Sequence, residues 1–306
     1  MNNTKIKFVY PALDCNADLG FVRLSGAGLG NCLLTYFEAY LFAQKNGATL
    51  IHPAWPSIKP GRILRRDPSQ RFYAGLMKPG PNEVSGIAKI FALLRFVFRP
   101  KERKFLSSTA TVESRGSLSV VRSTSYEFRN VLDSRQSIRQ RLNEISRAKL
   151  LNDGWGNGQY IAAHVRLGDF AVVSTDELCS SHRNNMRIPL SWYASVITQV
   201  RESYPSYPVH LFSDGTEAEL GPLLDIEGVK IRREASDLQD MVALAGARLL
   251  ITSRSTFSRW AAFLGDMPAI WFDTATPSEQ LSSNPAHHIS TGSDTTNLRS
   301  RLANLI

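Results

Sequence analysis

The strongest constraint on this chain is an alternation in its second half. Residues 160–165, 209–212, 229–232, 249–252 and 269–272 are short apolar runs of strand length. Between them lie segments of helical character. Residues 189–203 repeat Tyr193, Val196, Ile197 and Val200 at helical spacing. Residues 216–224 read as a short helix. Ser236 or Asp237 can cap a helix running to about Ala247, and residues 256–264 form another. Strands alternating with helices predict a parallel, doubly wound α/β sheet, and such sheets bind ligands at the carboxyl ends of their strands. No internal repeat of fixed period is present.

The first half is less regular. Residues 21–24 read as a strand, followed by Gly26-Ala27-Gly28-Leu29-Gly30, which permits a tight turn with positive φ. Asn31 suits the N-cap of a helix over 32–46, whose Leu33, Leu34, Phe37, Tyr40 and Leu41 share a face. Gly47 suits its end, and 48–51 the next strand. Residues 53–82 are rich in Pro, Gly and Arg and read as loops; 105–130 suggest short strands; 133–150 a charged helix. Residues 152–158 are dense in turn formers and mark a linker. A chain of 306 residues suits two domains of ~150 residues, here 1–150 and 151–306.

Charge separates the halves. Residues 1–150 carry 24 Lys and Arg against 10 Asp and Glu; residues 151–306 carry 12 against 17. The basic half calls for an anionic partner: nucleic acid, a membrane surface or a phosphorylated substrate. No RNA- or DNA-binding motif is present and aromatics do not interleave with the bases, even in the Arg-rich stretch 62–71, so no nucleic-acid partner is expected. The three cysteines, Cys15, Cys32 and Cys179, are far apart and support neither a disulfide scaffold nor a zinc ribbon. With no secretory signal or spanning run, a cytoplasmic location is the expectation.

Three stretches fall where the sheet would place ligands. His164-Val165-Arg166-Leu167-Gly168-Asp169 ends the first strand of the second half, Phe212-Ser213-Asp214-Gly215 ends the next, and Ser253-Arg254-Ser255-Thr256-Phe257-Ser258 joins a strand to a helix. An arginine at a strand end can hold a phosphate bidentately, and hydroxyls and free N–H groups at a helix start can hold a pyrophosphate. Equally, Arg166 can pair with Asp169, and Ser255 can serve as a cap alone.

Taken in order, these stretches resemble the alpha-1,2-fucosyltransferases (glycosyltransferase family 11) and the wider GDP-fucose transferase superfamily. The resemblance rests on His164-x-Arg166-x-Gly168-Asp169, Phe212-Ser213-Asp214, Asp237-Leu238-x-x-Met241 and Ser255-Thr256-Phe257-Ser258-x-Trp260-Ala261-Ala262. The opening Gly28-Leu29-Gly30-Asn31 extends it to the first half. Leu167 and Cys32 depart from it, standing where the family has Arg and Gln. The resemblance implies a GT-B fold, two Rossmann-like domains facing across a cleft, and an inverting transferase moving fucose from GDP-fucose to a glycan hydroxyl in bacterial surface polysaccharide synthesis. It implies that Arg166 holds the β-phosphate, that Ser255, Thr256 and Phe257 contact the diphosphate and nucleoside, and that Asp214 lies at the guanine or ribose. It further implies that His164 orients the site, that Asp237 is on the donor side, and that Gly30 and Asn31 approach from the first domain. A transferase for another nucleotide sugar, or a non-catalytic nucleotide-sugar-binding protein, are the alternatives.

No Asp-x-Asp occurs, so no metal is expected and no cofactor beyond the donor. The base for the acceptor is open: Asp169, Asp176 and Glu177 follow the first site, Asp169 can instead orient Arg166, and His52 follows a strand of the first domain. His182 and His210 read as ordinary, and Cys32 as a small buried residue. Residues 86–99 place Ile87, Ile90, Phe91, Leu94 and Val97 or Phe98 at helical spacing, with Lys89, Arg95 and Arg99 among them and a basic cluster over 99–104. That pattern fits either a core helix or a helix lying in an anionic membrane interface, peripheral on the inner face.

Overall fold

The computed structural model describes residues 6–13, 17–58, 72–97, 102–105, 110–123, 125, 127–148, 150, 154–180, 186–303 and 305–306. Cys15, the stretch 62–71, residues 98–101, His182 and part of the 152–158 linker lie outside them, as do the side chains of 102–105. The chain divides into two compact units, Met1–Lys149 and Leu150–Ile306.

The first unit runs β1 (Phe8–Pro11), β2 (Ala17–Asp18), β3 (Arg23–Leu24), α1 (Leu29–Lys45), β4 (Thr49–Leu50), β5 (Ser57–Ile58), α2 (Gly86–Val97), β6 (Glu102–Phe105), β7 (Ala110–Arg115), β8 (Leu118–Ser123) and α3 (Arg135–Ile145). Its main sheet has the order β4-β1-β8-β7-β6. β1 is parallel to β4 and β8, and the β6-β7-β8 meander is antiparallel. The leading strand is therefore β1, not residues 21–24. β3 belongs to a separate small sheet, β2-β3-β5, anchored by fully buried Arg23, whose Nε donates to the Ala54 carbonyl at 2.6 Å.

The glycine turn also differs from expectation. Gly26 has φ 118°, but Gly28 and Gly30 do not have positive φ. Helix α1 begins at Leu29 with Gly28 as its N-cap, because Cys32 N already donates to the Gly28 carbonyl at 3.1 Å. Asn31 thus lies inside the first turn rather than capping it. Gly47 follows the C-cap at φ 56°, the left-handed residue that ends the helix as read from sequence.

Helix α2 forms where the periodicity placed it, with an unexpected orientation. Ala92 and Leu93 pack with Tyr10, Ile51 and Leu118. Lys89 is buried on that side, while Ile87 (72%), Phe91 (70%) and Leu94 (57%) are exposed.

The second unit runs β9 (Ile161–Val165), α4 (Thr175–Ser180), α5 (Leu190–Ser203), β10 (Val209–Ser213), α6 (Glu217–Leu224), β11 (Val229–Ile231), α7 (Asp237–Gly246), β12 (Leu249–Ile251), α8 (Thr256–Gly265), β13 (Ala269–Phe272), β14 (His288–Thr291) and α9 (Leu298–Leu302). All six strands are parallel, in the order β11-β10-β9-β12-β13-β14. Counted within the unit this is 3-2-1-4-5-6, the Rossmann order, whose direction reverses between its first and fourth strands. Every residue of β9 is buried, as a central strand covered on both faces requires. Its Ile161, Ala163 and Val165 pack with Tyr193, Val196 and Ile197 of α5, each large apolar side chain contributing about 1.5–3 kcal/mol on burial. The C-terminal helix α9 lies on α5 of its own unit, where Tyr204 donates its hydroxyl proton to the Leu302 carbonyl. The second unit is an α/β layer of the Rossmann-like kind, and the first is α/β around a mixed sheet.

Candidate functional site

The reversal point of the second sheet lies between β9 and β12, and the two sequence stretches richest in candidates leave these strands at their carboxyl ends. They are tied together. Tyr193 of α5, 1% exposed, donates its hydroxyl to both the His164 carbonyl (3.2 Å) and the Thr252 carbonyl (3.1 Å). Its hydroxyl is pushed above the usual tyrosine range by burial and stays protonated.

Around this tie the serines of 253–258 converge on His164. Its Nδ1 lies 2.7 Å from Ser258 Oγ and 3.1 Å from Ser253 Oγ. Ser253 Oγ also meets Ser255 Oγ at 2.9 Å, and Ser253 N donates to Ser258 Oγ at 3.0 Å. The Phe257 ring is 5.2 Å from the imidazole. His164 is 7% exposed, and burial pushes its pKa down to about 4 against the opposing pull of Asp214, so at neutral pH it is an uncharged hydrogen-bonding strut. Ser255 is the N-cap of α8, accepting from Ser258 N at 3.2 Å. Thr256 and Phe257 are the first two residues of that helix. Their free N–H groups and the helix dipole make its start hospitable to an anion.

Arg166 sits beyond the end of β9 between two carboxylates. Nη2 is 2.6 Å from Asp169 Oδ1 and Nη1 is 2.5 Å from Asp214 Oδ2. Its guanidinium lies 5.3 Å over the Phe170 ring. The pairing with Asp169 allowed by sequence is present. Asp214 is bound to Arg166 and accepts from Leu167 N at 2.9 Å. Its place at the end of β10, neighbour to β9, explains this, since both carboxyl oxygens fall within reach of the preceding loop. The two carboxylates differ in exposure: the Asp214 side chain is 16% exposed and that of Asp169 44%.

Asp237 opens α7 at the carboxyl end of β11, capped by Ser236, whose Oγ accepts from Gln239 N. Asp240 accepts from Glu234 N at 2.7 Å, and burial, with the charges of Asp237 and Glu234, pushes it up to about 6. The structure therefore brings His164, Arg166, Asp169, Asp214, Ser255, Thr256, Phe257 and Asp237 to the carboxyl ends of adjacent strands of one sheet. Gly30 and Asn31 belong to the first unit, in the first turn of α1. Asp176 and Glu177 lie on exposed α4, His210 stacks on Tyr160 at 4.9 Å, and Cys32 is fully buried. Ser253, Ser258 and Tyr193 were not singled out by sequence. The serines fall inside a marked stretch, whereas the reach of Tyr193 from a helix to two strand ends has no local signal. Among the described residues no three His, Cys, Asp or Glu side chains are grouped as a metal cage would need, and no helix is long and apolar enough to cross a membrane.

No protein-family model and no curated protein matches the chain. Similar solved structures include the fucosyltransferase NodZ from Bradyrhizobium, at 19% identity over 88% of this chain and 97% of that one, with a TM-score of 0.43. They also include the NodZ alpha-1,6-fucosyltransferase soaked with GDP-fucose, at 19% identity over 90% and 98%, TM-score 0.42, and POFUT1 in its apo form, at 10% identity over 88% and 98%, TM-score 0.38.

Proposed function

We propose that this chain is an inverting, metal-independent glycosyltransferase that moves fucose from GDP-fucose to a hydroxyl of a glycan acceptor of the surface-polysaccharide class. The observation that carries this reading is that Arg166 and the N-terminus of α8 follow the carboxyl ends of β9 and β12, the two strands that flank the reversal point of a 3-2-1-4-5-6 sheet, the place where such sheets take nucleotide phosphates. The resemblance carried by the ordered motifs of the sequence supports GDP-fucose as the donor.

In this reading the diphosphate takes the place of exposed Asp169 on Arg166, while Asp214 keeps the guanidinium in position. The departing GDP gains negative charge as the anomeric bond lengthens. A fixed guanidinium and the N–H groups at Thr256 and Phe257 stabilise that charge more in the transition state than in the ground state. Arg166 thereby supplies the positive charge that a divalent ion supplies elsewhere. His164 and Ser258 hold the turn, and Asp237 offers a carboxylate to the N–H groups of a guanine.

A thermal-shift panel of nucleotide sugars tests the donor, since a ligand that binds only the folded state raises the midpoint by mass action. GDP and GDP-fucose should stabilise the chain above UDP and TDP sugars, and turnover should be equal in EDTA and in manganese. Preferential stabilisation by a UDP sugar would reassign the donor. Binding without turnover would favour a sensor.

The exposed face of α2, with Ile87, Ile90, Phe91 and Leu94, supports peripheral membrane contact by the first unit. It is short of a span but long enough to lie in an interface. Sedimentation with anionic vesicles should show salt-sensitive binding that falls when Phe91 and Leu94 become Ser. No binding at low salt would return the face to another role.

A further inference from the structure

Among the described residues, every large apolar side chain left exposed belongs to the first unit, Val172 excepted. Four of them form the outward row of α2. Two more, Leu19 (62%) and Phe21 (51%), stand on the turn that joins β2 to β3. Single apolar side chains on a surface are ordinary, but a cluster drawn from two elements marks an interaction site.

The turn is held in place from three sides. Leu19 N donates to the Val22 carbonyl at 3.0 Å, and Gly20, at φ 86°, takes a left-handed conformation that a side chain would strain. Asp18 Oδ1 accepts from Gly20 N at 2.8 Å, and Oδ2 accepts from the Tyr10 hydroxyl at 2.6 Å, which ties the turn to β1. Lys89 fastens it to α2. Its ammonium donates to the Gly20 carbonyl and lies 5.4 Å from the centres of the Tyr10 and Phe21 rings, contacts that offset part of the cost of burying a charge. Burial still pushes Lys89 down to about 8, countered by Asp18 and Glu83. Glu83 is itself engaged elsewhere, 2.8 Å from His52 Nδ1 and 2.6 Å from Arg141 Nη2.

The turn borders the outward row. A Cβ added to Gly20 would lie 3.8 Å from Leu93 Cδ1, and Gly20 and Phe21 line one cleft with Gly86 and Lys89 of α2. Successive helix residues rotate by about 100°, so Ile90 is at the edge of the side that faces the turn. Leu94, Ile87 and Phe91 continue the exposed row beyond it. The surroundings are basic. Helix α2 carries Lys89 and Arg95 and no acid, and the chain runs on through Arg99, Lys101, Arg103 and Lys104 against Glu102 alone. An apolar face set among bases matches an anionic bilayer interface, whereas two copies of it would bring like charges together.

We propose that the β2–β3 turn and α2 form one bilayer-docking face, with Leu19 and Phe21 immersed beside Ile90 and Phe91 at the level of anionic headgroups and with Lys89 positioning the turn. This rests on the peripheral-contact reading above and adds a second insertion element to it. Sedimentation with vesicles of equal parts phosphatidylcholine and phosphatidylglycerol tests it. Leu19→Ser/Phe21→Ser should partition about 10- to 100-fold more weakly than wild type at low salt, with the melting midpoint unchanged because both side chains are exposed. In Phe21→Trp, vesicles containing brominated phosphatidylcholine should quench the added indole emission. At saturating vesicle, where a lost charge no longer limits binding, adding Lys89→Met should reduce that quenching. Wild-type binding that falls in Phe91→Ser/Leu94→Ser but stays within about twofold in Leu19→Ser/Phe21→Ser refutes the turn's part alone. No wild-type binding at low salt refutes both this proposal and the α2 reading. An added indole that brominated lipid leaves unquenched, or quenching that Lys89→Met does not change, overturns the proposal. So does a wild-type dimer in light scattering that Leu19→Ser/Phe21→Ser abolishes and that binds no vesicles, since the face would then belong to a second copy.

Discussion

Gly168→Ala should disable the proposed donor site without touching a group proposed to meet the donor. Gly168 follows Leu167 in the loop after β9 and does not have a positive φ, so alanine meets no backbone strain there. The added methyl would instead lie 2.2 Å from Asp214 Oδ2 and 2.9 Å from its Cγ. Restoring an ordinary contact near 3.4 Å moves the oxygen by about 1.2 Å. That oxygen is 2.5 Å from Arg166 Nη1, so the shift can carry it beyond hydrogen-bond reach and weaken the pair that fixes the guanidinium. Both side chains are only 16% exposed, which puts the lost pair between surface and buried values, about 1–2 kcal/mol. The melting midpoint should fall by about 2–8 °C. A correctly placed donor of this kind is worth about 2.7–4 kcal/mol to the transition state. Losing half or more of it lowers kcat/KM about 10- to 100-fold. GDP release with GDP-fucose and differential scanning fluorimetry read both effects. A stable Gly168→Ala variant with wild-type kcat/KM would show that Asp214 does not position Arg166 for catalysis.

Two further outcomes follow from the same site. His164 has a folded pKa of about 4, below its unfolded value of about 6.5, so its neutral form stabilises the chain fully above that unfolded value. The contribution is lost as pH falls toward 4, amounting to about 2 kcal/mol at pH 5. Urea unfolding at pH 7 and pH 5 should show this extra loss in the wild type but not in His164→Gln, and equal losses would refute the assignment. In the proposed reading Asp169 competes with phosphate for Arg166, and Asp169→Asn removes that charge. It should tighten GDP about 3- to 10-fold in calorimetry, whereas weaker binding would contradict exchange of Asp169 for the diphosphate.

Much of the second unit was legible because its strands are buried on both faces and read as continuous apolar runs. The helices between them carry local cap signals such as Ser236 and Ser255. The last strand, β14, was not read: His288, Ser290 and Thr291 interrupt its apolar pattern. The first unit was harder. Its leading strand β1 has four residues and ends in Pro11, while the more visible glycine turn belongs to a side sheet. Candidate donor residues could be found because they sit within a few positions of strand ends. The contacts among them could not, since Arg166 meets Asp214 across two strands. Nor could the His52, Glu83 and Arg141 network, whose members are joined only by the fold. The inward turn of Lys89 runs against periodicity altogether: it is held by the Gly20 carbonyl and by the Tyr10 and Phe21 rings, each 5.4 Å away.

The central claim, that Arg166 holds the diphosphate of a nucleotide donor, is tested most directly by calorimetric titration of GDP into wild type, Arg166→Ala and Arg166→Lys. A charge-assisted contact of this kind contributes about 1.5–3 kcal/mol, so Arg166→Ala should bind GDP about 10- to 150-fold more weakly while remaining folded. Arg166→Lys should recover little, because an ammonium cannot reproduce the planar fork between Asp214 and a phosphate. GDP affinities equal within twofold across the three proteins would contradict the account.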